Sequence, residues 1–481
     1  ETVSSGTTNP WGMDWDRHGE LFFINTVIGH LWHAIPGAHF RRMSGDDPNP
    51  RVYEVIDQHA DHVHWATGEV WTDVRRGVTD ATSASGGGHA HTGLLIYQGG
   101  QWPKEWHGKL LTINYHGRRV NVERFEQEGS ALIGRREPDA FQFPDRRFRG
   151  LDLIAAPDGG VFVSDWNDDG ECHDNDGIHR SSGRIFKLSF GSPAPPAAVD
   201  LAKLSSTELV RAQRSDNDWV ARQTRLVLVD RVAAGGGLRH AIEELSRLEA
   251  ESTDPVHRLR ALWARHAIRG SDMSRLRALL DDRDEHVRAW AVRLLVDDPA
   301  QTLDQETIAA FARIAAGSTS PRVRLALASA LQRLPAAQAI LVAPPLLARA
   351  EDAKDHNLPL MLWYGIEPLA GAKLPKFSFE RMLAAARIPR VQRLGARRLA
   401  EEIDLAPGRI DALLEGIAER GSVEQRQAVL DGIAQGLSGR RRAPQPSRWA
   451  ALQPALAAGA DDQLRRRIPG SYTHLTLPTN R

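Results

Sequence analysis

Asp158-Gly-Gly-Val-Phe-Val-Ser-Asp-Trp-Asn-Asp-Asp-Gly-Glu-Cys-His-Asp-Asn-Asp-Gly-Ile-His-Arg-Ser-Ser-Gly-Arg-Ile-Phe-Lys-Leu188 sets a polar loop between two strand-like runs. Val161-Phe162-Val163 is β-branched and aromatic, and Arg184-Ile185-Phe186-Lys187-Leu188 alternates polar with apolar residues as a half-buried strand does. Five Asp, one Glu and two His lie between them. A β-propeller displays a site in this way, on a loop between short strands.

The unit has a counterpart near the start of the chain. Gly19-Glu20-Leu21-Phe22-Phe23-Ile24-Asn25 matches Gly159-Gly160-Val161-Phe162-Val163-Ser164-Asp165, and each unit closes on a similar strand at Gly29-His30-Leu31-Trp32-His33 or Gly183-Arg184-Ile185-Phe186-Lys187. Gly12-Met13-Asp14 and Gly150-Leu151-Asp152 precede them, so the repeat recurs after roughly three blade lengths of about 45 residues. Gly93 to Tyr97, Gly108 to Asn114 and Val120 to Phe125 read as a middle blade. The expected fold is an incomplete all-β propeller of about four blades over residues 1–190.

From about residue 200 the period changes to that of helices, and Ala, Leu and Arg replace most of the Gly. Asp218-Trp219-Val220-Ala221-Arg222, Asp254-Pro255-Val256-His257-Arg258, Asp284-Glu285-His286-Val287-Arg288 and Ser320-Pro321-Arg322-Val323-Arg324 share one pattern, with valines 36, 31 and 36 residues apart. That spacing predicts an all-α HEAT/armadillo-like solenoid over 201–469, after a Pro-rich linker at 191–200. Residues 470–481 break the helical pattern and resemble a translated sequencing-adapter tail, which excludes them from fold reasoning.

Lys plus Arg and Asp plus Glu both number 61, so no overall field draws the chain to nucleic acid or an anionic membrane. No apolar run is long enough to predict a transmembrane segment. The single cysteine, Cys172, excludes an internal disulfide and a C-x-x-C-H haem site within this chain. Because residue 1 is Glu, the natural N-terminus and any signal peptide are expected to precede it.

Asp165-x-Asn167-x-Asp169-Gly170, with Asp176 at the twelfth position, matches the first half of a calcium loop. Hard oxygen ligands two apart on a turning loop suit calcium, although the flanks are strands and the twelfth residue is not Glu. Alternatively these carboxylates cap backbone amides or pair with Arg180 and Arg184. His173 and His179 beside Cys172 offer a softer site for zinc or copper, without the spacing of a closed one. In Asp57-x-His59-x-Asp61-His62-x-His64 the alternating histidines either share one strand face or belong to a polar loop. Gly86-Gly87-Gly88-His89-Ala90-His91-Thr92-Gly93 lets backbone approach a ligand and delivers His89 and His91 to one side, or is a structural turn. Thirteen of the 19 histidines precede residue 190, which places the candidate chemistry in the first half.

The segments at 87–97, 114–121 and 170–180 resemble the large proteins of planctomycetes and verrucomicrobia assigned as membrane-bound dehydrogenases, strongly over about residues 9–190. In that family a propeller similar to quinoprotein glucose/sorbosone dehydrogenases precedes HEAT-like repeats and often a haem c domain. The resemblance implies a periplasmic or cell-surface, secreted protein that oxidises a sugar or other alcohol and passes electrons to a cytochrome c domain or partner. It also implies pyrroloquinoline quinone as cofactor, with His89 or His91 as base, Arg118, Arg119, Arg149 and Arg180 on the quinone carboxylates, and calcium on the Asp165 loop. The complete quinone-binding set of characterised sugar dehydrogenases is not present. The alternative is a non-catalytic scaffold that binds carbohydrate or protein, with Trp65, Trp71, Trp102, Trp106 and Trp166 suited to stacking on sugar rings.

Overall fold

The computed structural model describes residues 2–69, 77–170, 179, 181–192, 200–298, 300, 302–440 and 442–458. The first half holds three antiparallel sheets of consecutive strands. They are β1–β2–β3 (Pro10–Trp15, Leu21–Asn25, Leu31–His33), β4–β5–β6–β7 (His91–Ile96, Leu110–Asn114, Arg119–Glu128, Ala131–Gln142) and β8–β9–β10 (Gly150–Ala155, Val161–Asp165, Arg184–Leu188). A fourth sheet has two strands.

The four-stranded sheet is the middle layer, and the two-residue period of its strands shows why. Leu94 and Ile96 of β4 join Phe22, Ile24 and Leu31 in one core cluster, whereas Leu95 between them joins Ile113, Leu153, Val161 and Val163 in another. Both faces of this sheet are therefore apolar. At Gly93 the layers touch through backbone: φ is +61°, and a Cβ there would sit 2.7 Å from the Cα of Asp152.

These sheets overturn the expected propeller. The described strands form separate open sheets of two to four strands, and none closes on itself or assembles as a propeller. The repeat seen in the sequence is the antiparallel strand unit, which recurs in β1–β3 and β8–β10. Such a unit is specified by residues close in the chain, whereas a ring needs enough equivalent sheets and a non-local closure.

The second half is helical, from Ser206–Arg211 to Trp449–Leu456. The recurring Asp/Ser-Pro-Val-Arg pattern marks helix starts. Asp254 and Ser320 accept hydrogen bonds from the amides of Val256 and Val323, and proline occupies the first helical turn in both. Several helices pack on their next-but-one neighbour, as Pro389–Glu401 does on Val423–Gly436 and Phe379–Ala385 on Pro407–Arg420. This arrangement agrees only loosely with a HEAT/armadillo-like solenoid. No described helix is long and apolar enough to cross a membrane.

The chain forms two compact units, 1–36 with 40–45 and 57–287, and 37–39 with 46–56 and 288–481. Polar contacts tie the helices before residue 287 to the sheets of the first unit: Arg222 pairs with Asp14, and Asn217 donates to the Pro157 carbonyl. In the second unit the indole of Trp363 donates to the carbonyls of Arg51 and Val52, and Tyr364 donates to that of Glu54. The Pro-rich stretch at 193–199 and the tail at 470–481 lie outside the described residues.

Candidate metal centre

Residues 59–64 follow no regular element, yet backbone bonds set their path. His59 N donates to the Leu31 carbonyl of β3, Gly134 N of β7 donates to the His59 carbonyl, and Ala60 forms an isolated parallel bridge with Gly134. This pins the segment to strands from two sheets. It brings His62 and His64 to His30, at the entrance to β3, and to Glu123 on β6. One ligand atom from each of these four residues lies within 4.8 Å of every other.

His30, His64 and Glu123 are buried, and the His62 side chain is 18% exposed, so the cluster meets solvent at one edge. His30 Nε2 contacts Glu123 Oε1, His62 Nε2 lies 3.8 Å from that oxygen, and the Nε2 atoms of His62 and His64 are 3.2 Å apart. Around a tetrahedral zinc with Zn–N bonds near 2.0–2.1 Å, donor atoms stand roughly 3.3 Å apart. The spacings bracket that value.

The surrounding hydrogen bonds set the tautomers. His91 Nδ1 lies 3.1 Å from the His89 carbonyl, which only accepts, so this nitrogen carries the proton and His91 Nε2 presents a lone pair. His64 Nδ1, 2.7 Å from that lone pair, is the donor, which leaves His64 Nε2 bare toward the cluster. Burial, reinforced by the field of His30, pushes the pKa of both His64 and His91 below the usual value, so both rings are neutral near pH 7. On the other side His62 Nδ1 donates to Asp61 Oδ1 at 2.8 Å. Burial opposes ionisation of Asp61, but the bonds from His62 and Arg135 prevail and hold its carboxyl below the ordinary value. His62 Nε2 is thereby turned toward His64.

Two Nε2 atoms thus face each other at 3.2 Å beside a carboxylate whose Oε2 is buried with no hydrogen-bond partner among the described residues. A buried anion is costly without a counter-charge. A cation among these atoms supplies one. Neutral imidazoles with outer nitrogens held by a carboxylate or a second ring are the form in which histidine binds transition metals.

Two glycines make room for the ligands. A Cβ at Gly134 would lie 2.0 Å from Glu123 Oε2, and one at Gly86 would lie 2.4 Å from His64 Cδ2.

The sequence candidates fall in several places. His91 joins the cluster as the partner of His64. His89 contributes its carbonyl, while its ring packs on His116, 4.9 Å between centroids. Arg119 is spent on Ser83, Gly117 and Asp139, and Arg149 donates to the carbonyls of Arg146, Phe148, Asp169 and Gly170. Arg118 adopts a left-handed backbone, φ +52°, and its carbonyl accepts from Phe143 N. On the expected calcium loop, Asp165 accepts from the amides of Arg149 and Asn167 and from Arg184 twice. Asn167 has φ +60°, and Asp169 pairs with Arg146, Arg147 and His179. Asp176, Arg180, Cys172, His173 and Trp71 lie outside the described residues.

His30 and Glu123 are the cluster members that sequence reasoning missed. Both read as strand residues, and the available signal was a carboxylate at position 123 directly after the alternating run Val120-Asn121-Val122.

Residues 1–175, which include all four cluster residues and His91, match a family described as a domain of unknown function (DUF7133). No curated protein matches the chain.

Proposed function

We propose that the N-terminal unit is a metal-binding domain that holds one divalent transition-metal ion, of the zinc class, through His30, His62, His64 and Glu123. The observation that carries this reading is the convergence of four ligand-type atoms within 4.8 Å of one another, with the Nε2 atoms of His62 and His64 3.2 Å apart beside the half-satisfied carboxylate of Glu123. Three imidazoles and one carboxylate without thiolate suit zinc and its first-row neighbours better than calcium or magnesium. When bound, such an ion is a Lewis acid and lowers the pKa of a coordinated water.

The protein's own residues do the positioning. Asp61 and His91 fix the ring orientation of His62 and His64, and Gly134 admits the Glu123 carboxylate. The quinone-dependent sugar or alcohol oxidation implied by family resemblance, in a periplasmic or secreted setting, draws less support. Arg119 and Arg149 are occupied by protein acceptors, and Asp165 is held by Arg184.

The test is titration of metal-stripped full chain with Co2+, read by its d–d absorption, and with Zn2+ by competition against a chelating dye. The expected result is one tight equivalent, lost in His62→Ala and His64→Ala and kept in Asp165→Ala. No stoichiometric binding by folded protein would overturn the proposal.

A further inference from the structure

We infer that the metal centre takes a small oxyanion, a phosphate or carboxylate group, with one oxygen on the ion and another on the guanidinium of Arg136. The inference rests on the metal reading above and assigns a ligand class to that site.

Arg136 stands directly opposite Glu123 in the β6–β7 ladder. Directly paired residues of antiparallel strands project from the same face, so Arg136 and the metal ligand share a face. They do not pair with each other, because Glu123 leans over Gly134 toward His30. The Nη1 of Arg136 donates to the Ala84 carbonyl, 2.8 Å away, in α1 (Asp80–Ser85), and Gly86 just beyond that helix packs on His64. The guanidinium is thereby held beside the His64 end of the cluster.

Among the described residues no carboxylate pairs with Arg136, whereas the adjacent Arg135 pairs with Asp61, Glu126 and Glu128. Arg136 is exposed, and the cluster meets solvent at His62. A partly anchored, exposed guanidinium beside a partly open metal site offers an oxyanion a charge-assisted hydrogen bond and a coordination bond together. The anion's oxygen would enter as a fifth ligand from the His62 edge, where the cluster meets solvent.

The experiment uses the 481-residue chain loaded with Co2+, titrated at fixed pH and ionic strength with inorganic phosphate and, separately, with acetate. The expected result is a saturable change in the d–d bands with at least one of the two anions, weakened about tenfold in Arg136→Gln, while Co2+ affinity is unchanged. Which anion saturates first distinguishes the phosphate from the carboxylate source. Absence of a saturable change with either anion, or equal anion affinity in Arg136→Gln, would overturn the oxyanion inference and leave the metal reading standing. Failure of Co2+ to bind at all would overturn both, and the metal titration reports that outcome separately.

Discussion

Gly134→Ala tests the metal centre through one methyl group. The new Cβ would lie 2.0 Å from Glu123 Oε2 and 2.6 Å from Leu31 Cδ2. Gly134 is not among the residues of positive φ, so its backbone accepts alanine and the conflict is purely steric. Carbon and oxygen atoms resist approach well short of about 3.5 Å, so the carboxylate must retreat by about 1.5 Å unless the strand moves. Metal–ligand distances tolerate about 0.2 Å, so a shift of that size removes Glu123 as a ligand. Forcing one methyl into packed surroundings costs roughly 1–3 kcal/mol of folding stability. Misplacing a direct ligand should exceed the 10–100-fold effect typical of outer-shell changes, so we expect Co2+ affinity to fall about 100-fold or more. The assay is Co2+ titration against a competing chelator, with far-UV circular dichroism to establish folding. Gly317→Ala, where a Cβ meets nothing within 4 Å, is the control. Wild-type Co2+ affinity in folded Gly134→Ala would refute the assignment of Glu123 and the steric reasoning together.

Three further outcomes are expected. Asp352→Ala leaves the buried guanidinium of Arg324 without its two-pronged carboxylate partner, so urea unfolding should show a loss of about 3–5 kcal/mol, and a change below about 1 kcal/mol would contradict a buried pair. Trp363→Phe keeps an aromatic ring but removes the indole donor to the Arg51 and Val52 carbonyls, which should cost about 1–2 kcal/mol by the same measurement. Asp165→Ala strips the amides of Arg149 and Asn167 and the side chain of Arg184 of an acceptor. It should destabilise by about 2–4 kcal/mol, and excess calcium should leave the wild-type melting temperature unchanged. A calcium-dependent rise in that temperature would restore the Asp165 loop as a metal site.

The strands were largely legible because their signals are short-range. Val161-Phe162-Val163 and Arg184 to Leu188 pair as neighbouring antiparallel strands, as their composition suggests. The Asp/Ser-Pro-Val-Arg pattern marks helix starts because a side-chain oxygen and a proline act within the first turn. The Asp165 loop looked like calcium chemistry from its oxygen spacing, but spacing does not reveal that Arg184 and two amides already occupy Asp165. Of the cluster, His62, His64 and His91 stood out by histidine density alone. His30 and Glu123 are 93 residues apart, each inside an ordinary strand pattern, and nothing local joins them.

By itself, then, the chain determined where hairpins and helices form, that it holds neither an internal disulfide nor a C-x-x-C-H motif, and that histidines concentrate in its first half. Only the tertiary structure decided that the sheets stay open and separate, and that rings from two segments meet one carboxylate. The physical reason is range. Periodicity and capping depend on residues within a few positions, whereas sheet closure and ligand convergence depend on which buried faces meet across the fold.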